Sequence, residues 1–260
     1  MVPQIHPASD RAMCVRADNP GPMTLEGTNT WVLREPGRSG VVVLDPGPLD
    51  EAHLARVIDV AQRDGGEVRL VLYSHHHPDH TESIDRFAEM TGAPARAWDE
   101  RWCRNAAPLA DRENIEIDGL RLQVLATPGH TVDSVCLLLH DDAALLTADT
   151  VLGRGTTVVA YPDGALGPYL DSLQLLRTLA SDEEITRLLP GHGPVVDRPV
   201  EVLDAYLAHR EQRLEQVRAA VAAGARTAED VVARVYADVD RELWRAAEMS
   251  VRAQLDYLGV

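Results

Sequence analysis

The chain of 260 residues contains no lysine; all 25 basic residues are arginine, set against 41 Asp and Glu for a net charge of −16. An excess of that sign repels polyanions over most of a surface, so nucleic-acid binding would need a local arginine patch. The missing lysine, beside many alanines, reads as codon bias. Cysteine is scarce: Cys14, Cys103 and Cys136 are odd in number and far apart, which excludes a disulfide framework and predicts free thiols in a reducing compartment. No stretch approaches the roughly 18 consecutive apolar residues of a membrane span. Met1-Val2-Pro3-Gln4-Ile5-His6 has neither the charged nor the apolar region of a secretory leader. These absences together predict a cytoplasmic protein that meets no membrane.

What the chain does have is 45% hydrophobic residues, ample for a core, and a dense polar motif beside a strand. Val68 to Tyr73 reads as a buried strand and runs into Ser74-His75-His76-His77-Pro78-Asp79-His80. Four of those side chains fit the spacing His-x-His-x-Asp-His. Imidazole and carboxylate together suit zinc, iron or manganese, and such groups are costly in a core without partners. Further candidates follow other apolar runs: His130 in Thr127-Pro128-Gly129-His130-Thr131, Asp149 after Ala144 to Ala148, and His192 in Pro190-Gly191-His192-Gly193. Ligands at several strand ends can converge on one edge of a sheet.

Motifs of these kinds in this order resemble the metallo-β-lactamase superfamily of binuclear hydrolases, over about Gly27 to Pro194. The resemblance implies an α/β fold, a four-layer αββα sandwich, with two metals at one edge. By position it implies His75, His77 and His130 at the first metal, Asp79, His80 and His192 at the second, and Asp149 bridging both. His76 falls at a spacer. Asp45, in Leu44-Asp45-Pro46-Gly47, matches an early strand-end Asp that would support a ligand; a plain turn-forming Asp before Pro-Gly is the other reading. Many members continue Asp-His-x-Gly-Gly, whereas this chain has Asp79-His80-Thr81-Glu82-Ser83, which predicts a different start to the next helix. Asp149 stands where the secreted antibiotic-degrading branch usually has Cys, which argues against a dedicated antibiotic lactamase.

Residues 1–24 carry turn signals and predict irregular structure. Strands are expected at 30–33, 40–44, 120–126, 134–140 and 143–148, with helices over 49–63, through Ile84 to Met90, and over 168–180. The texture changes after Val196, so the chain divides into a catalytic domain, 1–198, and a helical region, 199–260. Pro199 and Gly224 fit the ends of one helix, Thr227-Ala228-Glu229-Asp230 starts a second, and a third runs from about Asp240 to Leu258. These three helices resemble the winged-helix appendage of the β-lactamase-like protein 2 branch, incomplete because no β-wing follows. Gly27-Thr28-Asn29-Thr30, Gly153 to Thr157, Tyr169 to Leu173 and His209-Arg210 resemble that branch as well. His209 and Arg210 are expected on a solvated helix face, with substrate contact as the alternative. The same holds for Arg241, Arg245 and Arg252, balanced by Asp240, Glu242 and Glu248.

Two metals sharing Asp149 would share a water whose pKa falls to about 7. The expected cofactor is therefore zinc, two ions per chain, with iron or manganese as alternatives. The expected reaction is attack of a bridging hydroxide on a small-molecule ester, thioester, lactone or amide, with Asp79 orienting the water or carrying its proton. The alternatives are a metal-dependent single-strand endoribonuclease, disfavoured by charge, and an iron-dependent oxidoreductase. The tail would cover the core or pair with another subunit in a homo-oligomer. Specificity is expected in loops 19–29, 96–112 and 153–168.

Overall fold

The computed structural model describes residues 4–238 and 240–260. Residues 1–3, part of the stretch read above for a leader, lie outside the described residues. Among the described residues eleven strands form two sheets. The first holds β1 (Ile5–Pro7), β2 (Ala12–Arg16), β3 (Asn29–Arg34), β4 (Gly40–Leu44), β5 (Glu67–Leu72) and β6 (Ala95–Arg96), in that order across the sheet. The second runs β11 (Arg187–Pro190), β10 (Ala144–Ala148), β9 (Val135–Leu139), β8 (Leu120–Ala126), β7 (Asn114–Ile117). Pairing is antiparallel except β4–β5, β5–β6 and β10–β11, which are parallel.

Side-chain alternation dictates the layers. Val42 and Leu44 of β4 and Leu72 of β5 point inward, against Leu122 of β8, Leu137 and Leu139 of β9 and Leu146 of β10. Val41, Val43 and Val71 point the other way and meet α1 (Glu51–Ala61) and α3 (Ile84–Thr91) through Leu54, Val57 and Phe87. On the opposite flank Leu138, Leu145 and Leu188 meet α4 (Leu166–Asp182) and α5 (Pro199–Ala222) through Leu173, Leu176 and Leu203. Both faces of each sheet are thus covered, which is why β4, β9 and β10 are buried without interruption. The result is the α/β four-layer sandwich expected from the sequence.

The tail continues from α5 into α6 (Ala228–Val235) and α7 (Trp244–Leu258), which share a small core of Val217, Val231, Val232 and Val251. Thr227 and Asp230 close a reciprocal capping box at the start of α6. The third tail helix begins a turn later than expected, after a 3-10 turn at Arg241–Leu243. Arg252 pairs with Glu248, in keeping with a solvated face. The irregular reading of residues 1–24 needs correction: β1 and β2 pair with each other, and β2 pairs with β3. Cys14 and Val15, fully buried, supply the apolar contact that short polar-flanked strands do not advertise. All three cysteines are free, and among the described residues no helix is long and apolar enough to cross a membrane.

Candidate metal centre

Each sequence-predicted ligand follows the C-terminal end of a strand or the turn just beyond it. β5 leads into His75, His77 and the short helix α2 (Pro78–Thr81) bearing Asp79 and His80. β8 leads to His130, β10 to Asp149 and β11 to His192. The turns need glycine at two points. A Cβ on Gly129 would lie 2.3 Å from the Tyr169 Cα, and one on Gly191 would lie 2.4 Å from Asp149 Oδ1. In place of the two glycines usual after the motif, Thr81 donates to the carbonyls of His76 and His77, and Ser83 donates to Gly47. These hydroxyl bonds fix the turn, and α3 starts at Ile84.

The side chains gather into two groups, His75-His77-His130-Asp149 and Asp79-His80-His192. In the first, His77 Nδ1 lies 3.1 Å from His75 Nε2 and 3.0 Å from His130 Nε2. The far side of each ring identifies its proton. His130 Nδ1 donates to the Val158 carbonyl at 2.8 Å. Ser74 Oγ donates to Asp45 Oδ2 and so accepts from His75 Nδ1, at 2.9 Å. Both Nε2 atoms are therefore bare, and their lone pairs converge on His77 Nδ1. Burial, then the neighbouring imidazoles, hold His75 well below the ordinary histidine range and bring His77 down to about 4. Burial also lowers His130.

The second group is an ion-pair cluster. His192 Nε2 lies 3.1 Å from Asp79 Oδ2 and 3.3 Å from Asp149 Oδ2. His80 Nε2 lies 3.3 Å from Asp79 Oδ2 and 3.6 Å from Asp149 Oδ1. Burial opposes the imidazolium, but the carboxylates outweigh it: His80 is raised, and His192 is pushed up to about 9. Burial likewise opposes the carboxylates, and the two histidines overcome it to hold Asp79 and Asp149 ionised. Asp149 reaches both groups, since its Oδ2 is also 3.8 Å from His130 Nε2. His80 Nε2 and Asp149 Oδ1 are buried without a hydrogen-bond partner. Bare converging nitrogens and an orphaned carboxylate oxygen fit divalent cations and leave protein partners unmade otherwise.

Asp45 supports this edge. Its carboxylate accepts from the Ser74 N–H at 2.8 Å, the Ser74 hydroxyl at 2.6 Å and His80 Nδ1 at 2.9 Å. It therefore does more than form a turn. Thr28 Oγ1 donates to Asp79 Oδ2 at 3.0 Å, a contact within the Gly27-Thr28-Asn29-Thr30 segment that the sequence singled out without assigning it. His76 turns away from the cluster, with Nδ1 2.8 Å from the buried Asp133. It can also form a group with His77 and Asp163 on the exposed side.

The expectation of a solvated Arg210 is overturned. Arg210 is 5% exposed, stacks over Tyr169 and donates to the Thr157 carbonyl. Thr157 Oγ1 in turn donates to the Asp149 carbonyl at 2.7 Å. Tyr169 OH donates to Thr150 O, and Leu152 N–H donates to Tyr206 OH. Three side chains on α4 and α5 thus fasten the segment that carries Asp149. The signal was available: Leu203, Tyr206, Arg210, Leu214 and Val217 form one helical stripe, and a charge on an apolar stripe implies a buried partner. A cavity of about 190 Å³ opens onto His130 and Asp149, lined by Met23, Leu25, Leu152 and the 154–158 loop. Loop 96–112, expected to shape specificity, contributes nothing to it.

Comparison with known proteins agrees with this architecture. The model of the metallo-beta-lactamase superfamily matches residues 23–104 and 104–192, and that of the beta-lactamase associated winged helix domain matches 227–258. A beta-lactamase-like protein 2 homolog of Caenorhabditis elegans is 31% identical, covering 99% of this chain and 87% of the relative. A lactamase-like protein, aptB, of Emericella nidulans is 28% identical over 94% of this chain and 80% of its own length. A beta-lactamase domain protein from Burkholderia ambifaria superposes with a TM-score of 0.81 at 23% identity, covering 98% of this chain and 87% of that one. The family model spans well over half of the chain, and the residues it matches include the whole His and Asp cluster at the strand ends. The chain therefore belongs to the metallo-beta-lactamase superfamily.

Proposed function

We propose that the protein is a metal-dependent hydrolase that holds two divalent ions, zinc foremost, and cleaves a small ester, thioester, lactone or amide. His75, His77 and His130 would hold one ion, Asp79, His80 and His192 the other, and Asp149 would join them. The observation that carries this reading is the position of Asp149, whose two oxygens face both histidine groups at 3.3–3.8 Å. Superfamily membership and the lactamase-like names of the curated relatives point the same way. Divalent ions there would supply Lewis acidity and lower the pKa of a coordinated water.

The chain's own residues do the rest. Asp79 has the more exposed of the two carboxylates, 26% against 11% for the Asp149 side chain. It takes the proton of the attacking water and passes it to the leaving group. Thr28 holds that carboxylate in place. Leu25, Leu152 and Met23 exclude bulk water around a cavity sized for a small acyl group. Catalysis is assigned to residues 1–198, with residues 199–260 shaping the cleft, and the free cysteines fit a cytoplasmic setting.

Metal analysis of the purified protein, followed by a panel of thioesters, lactones, a chromogenic β-lactam and single-stranded RNA, tests the reading. Two zinc ions per chain and turnover of a carbonyl substrate are expected. Stoichiometric iron without zinc would replace the reading with an oxidoreductase. Salt-sensitive RNA cleavage alone would replace it with a nuclease.

A further inference from the structure

The cavity over His130 and Asp149 does not end there. Pro22, Met23, Thr156, Thr157 and Val158 line both it and a second cavity of about 250 Å³ that runs between the catalytic core and the tail. The two cavities adjoin across this shared wall. Along them the walls are apolar: Met23 is 50% exposed and Leu243 38% exposed, with Ala246 and Ala247 beside them. At the far side of the second stand His209, Arg210 and Arg213. Arg213 lies over the Tyr236 ring, 4.7 Å from the centroid, and donates to Gln216 Oε1 at 2.9 Å. Those partners fix the guanidinium without neutralising it. His209 Nδ1 and Arg210 Nε are buried atoms without a partner. Among the described residues the lining contains no carboxylate. On a chain of net charge −16 such a place stands out as locally cationic.

We propose that this second cavity is a binding subsite for the anionic end of an elongated substrate, whose apolar stem lies along the cleft and whose acyl group reaches the metal centre. The proposal rests on the hydrolase reading above and narrows its substrate to an acyl compound carrying a remote carboxylate or phosphate. Arg213 is the principal cation of the subsite. A planar guanidinium with a free edge pairs with either headgroup, and the alanine and leucine wall accepts a hydrocarbon stem. An RNA strand is the poorer fit, because it brings a phosphate at every residue and needs cations at matching intervals rather than an apolar wall.

Calorimetric titration of the metal-loaded full chain tests this with octane-1-sulfonate, octanoate, octyl phosphate and 1-octanol. The sulfonate is included because it is a poor metal ligand. One anion per chain is expected, each bound at least tenfold tighter than the alcohol. Arg213→Gln should reduce that advantage at least fivefold, Arg213→Lys should retain part of it, and Arg218→Gln on the same helix should leave it intact. Circular dichroism and melting of each variant establish folding. The tighter of octanoate and octyl phosphate identifies the natural headgroup. Equal binding of alcohol and anions would overturn the proposal, as would an advantage that survives in Arg213→Gln, which would place the anion on the metals. Displacement of the sulfonate by an RNA octamer with steep salt dependence would overturn it in favour of nucleic acid. Turnover of a thioester is measured in parallel. Its absence, with Arg213-dependent binding retained, would refute the hydrolase reading and leave the subsite standing.

Discussion

Asp45→Asn isolates a single oxygen. Asp45 sits at φ 52°, a left-handed conformation that Asn tolerates at least as well as Asp, so the backbone carries no penalty. Oδ1 continues to accept the Ser74 N–H. The substituted atom is Oδ2, which accepts both the Ser74 hydroxyl and His80 Nδ1. An amide NH₂ there meets a donor on His80. In the metal-loaded chain, where His80 would be neutral, the ring escapes only by moving its proton to Nε2, the atom that faces Asp79 and Asp149. Two hydrogen bonds to a buried carboxylate are at stake at about 1.5–3 kcal/mol each. The new amide recovers one by donating to Ser74, which leaves a stability loss of roughly 2–3 kcal/mol. Loss of such an orienting partner lowers metal affinity about 10- to 100-fold, or about 1.4–2.7 kcal/mol. Competition with a fluorescent zinc chelator measures the affinity, and nitrogen-15 spectra of the imidazoles report the His80 tautomer. Unchanged affinity for two metal equivalents, with His80 still protonated at Nδ1, would refute the argument that Asp45 sets that proton.

Other perturbations separate the parts of the centre. Asp149→Ala should leave at most one tight metal per chain and cut turnover roughly a hundredfold or more. His76→Ala should keep both metals, and equal metal loss in the two variants would mean that the register of the histidine motif is misread. Gly191→Ala places a Cβ 2.4 Å from Asp149 Oδ1 and 3.0 Å from His80 Cε1, so metal content should drop while far-ultraviolet dichroism is unchanged; full metal occupancy would contradict it. His53 is buried, and burial followed by the Arg56 charge brings its pKa down to about 4 from 6.5. The unfolded chain therefore binds the extra proton first. His53 disfavours the folded state as pH falls from 6.5 towards 4, by roughly 3 kcal/mol in full and about 2 kcal/mol at pH 5. His53→Gln should flatten the loss of denaturation free energy between pH 7.5 and pH 5 by about that amount; parallel profiles would sink this account.

The sequence displayed the site more openly than its setting. The turns bearing the candidate ligands are legible because their residues are costly anywhere but at a metal or in a pair, and because apolar runs announce the strands before them. The four helices that flank the sheets show themselves by period, and Thr227 with Asp230 shows itself by capping chemistry. β1 and β2 do not: a strand of three to five residues that gains its burial from neighbours carries too little pattern of its own. Arg210 was hidden differently. Its partner is a backbone carbonyl 53 positions away, and a carbonyl has no signature in sequence. Ser74 and Thr28 act through single hydroxyls, whose acceptors only the folded chain brings near.

The tether between α5 and the Asp149 segment bears on the order in which a nascent chain can become competent. By the time residue 192 has left the ribosome, every His and Asp of the cluster has been synthesised. Yet Leu152 still lacks Tyr206 and Thr157 still lacks Arg210. Tyr169 of α4 already holds Thr150, but the segment carrying the carboxylate common to both histidine groups is fully anchored only when the first turns of α5 have emerged and docked. Full anchoring of the Asp149 loop is thereby deferred to the last quarter of synthesis, and a chain stopped at residue 198 would carry every candidate ligand while that loop lacked these two anchors.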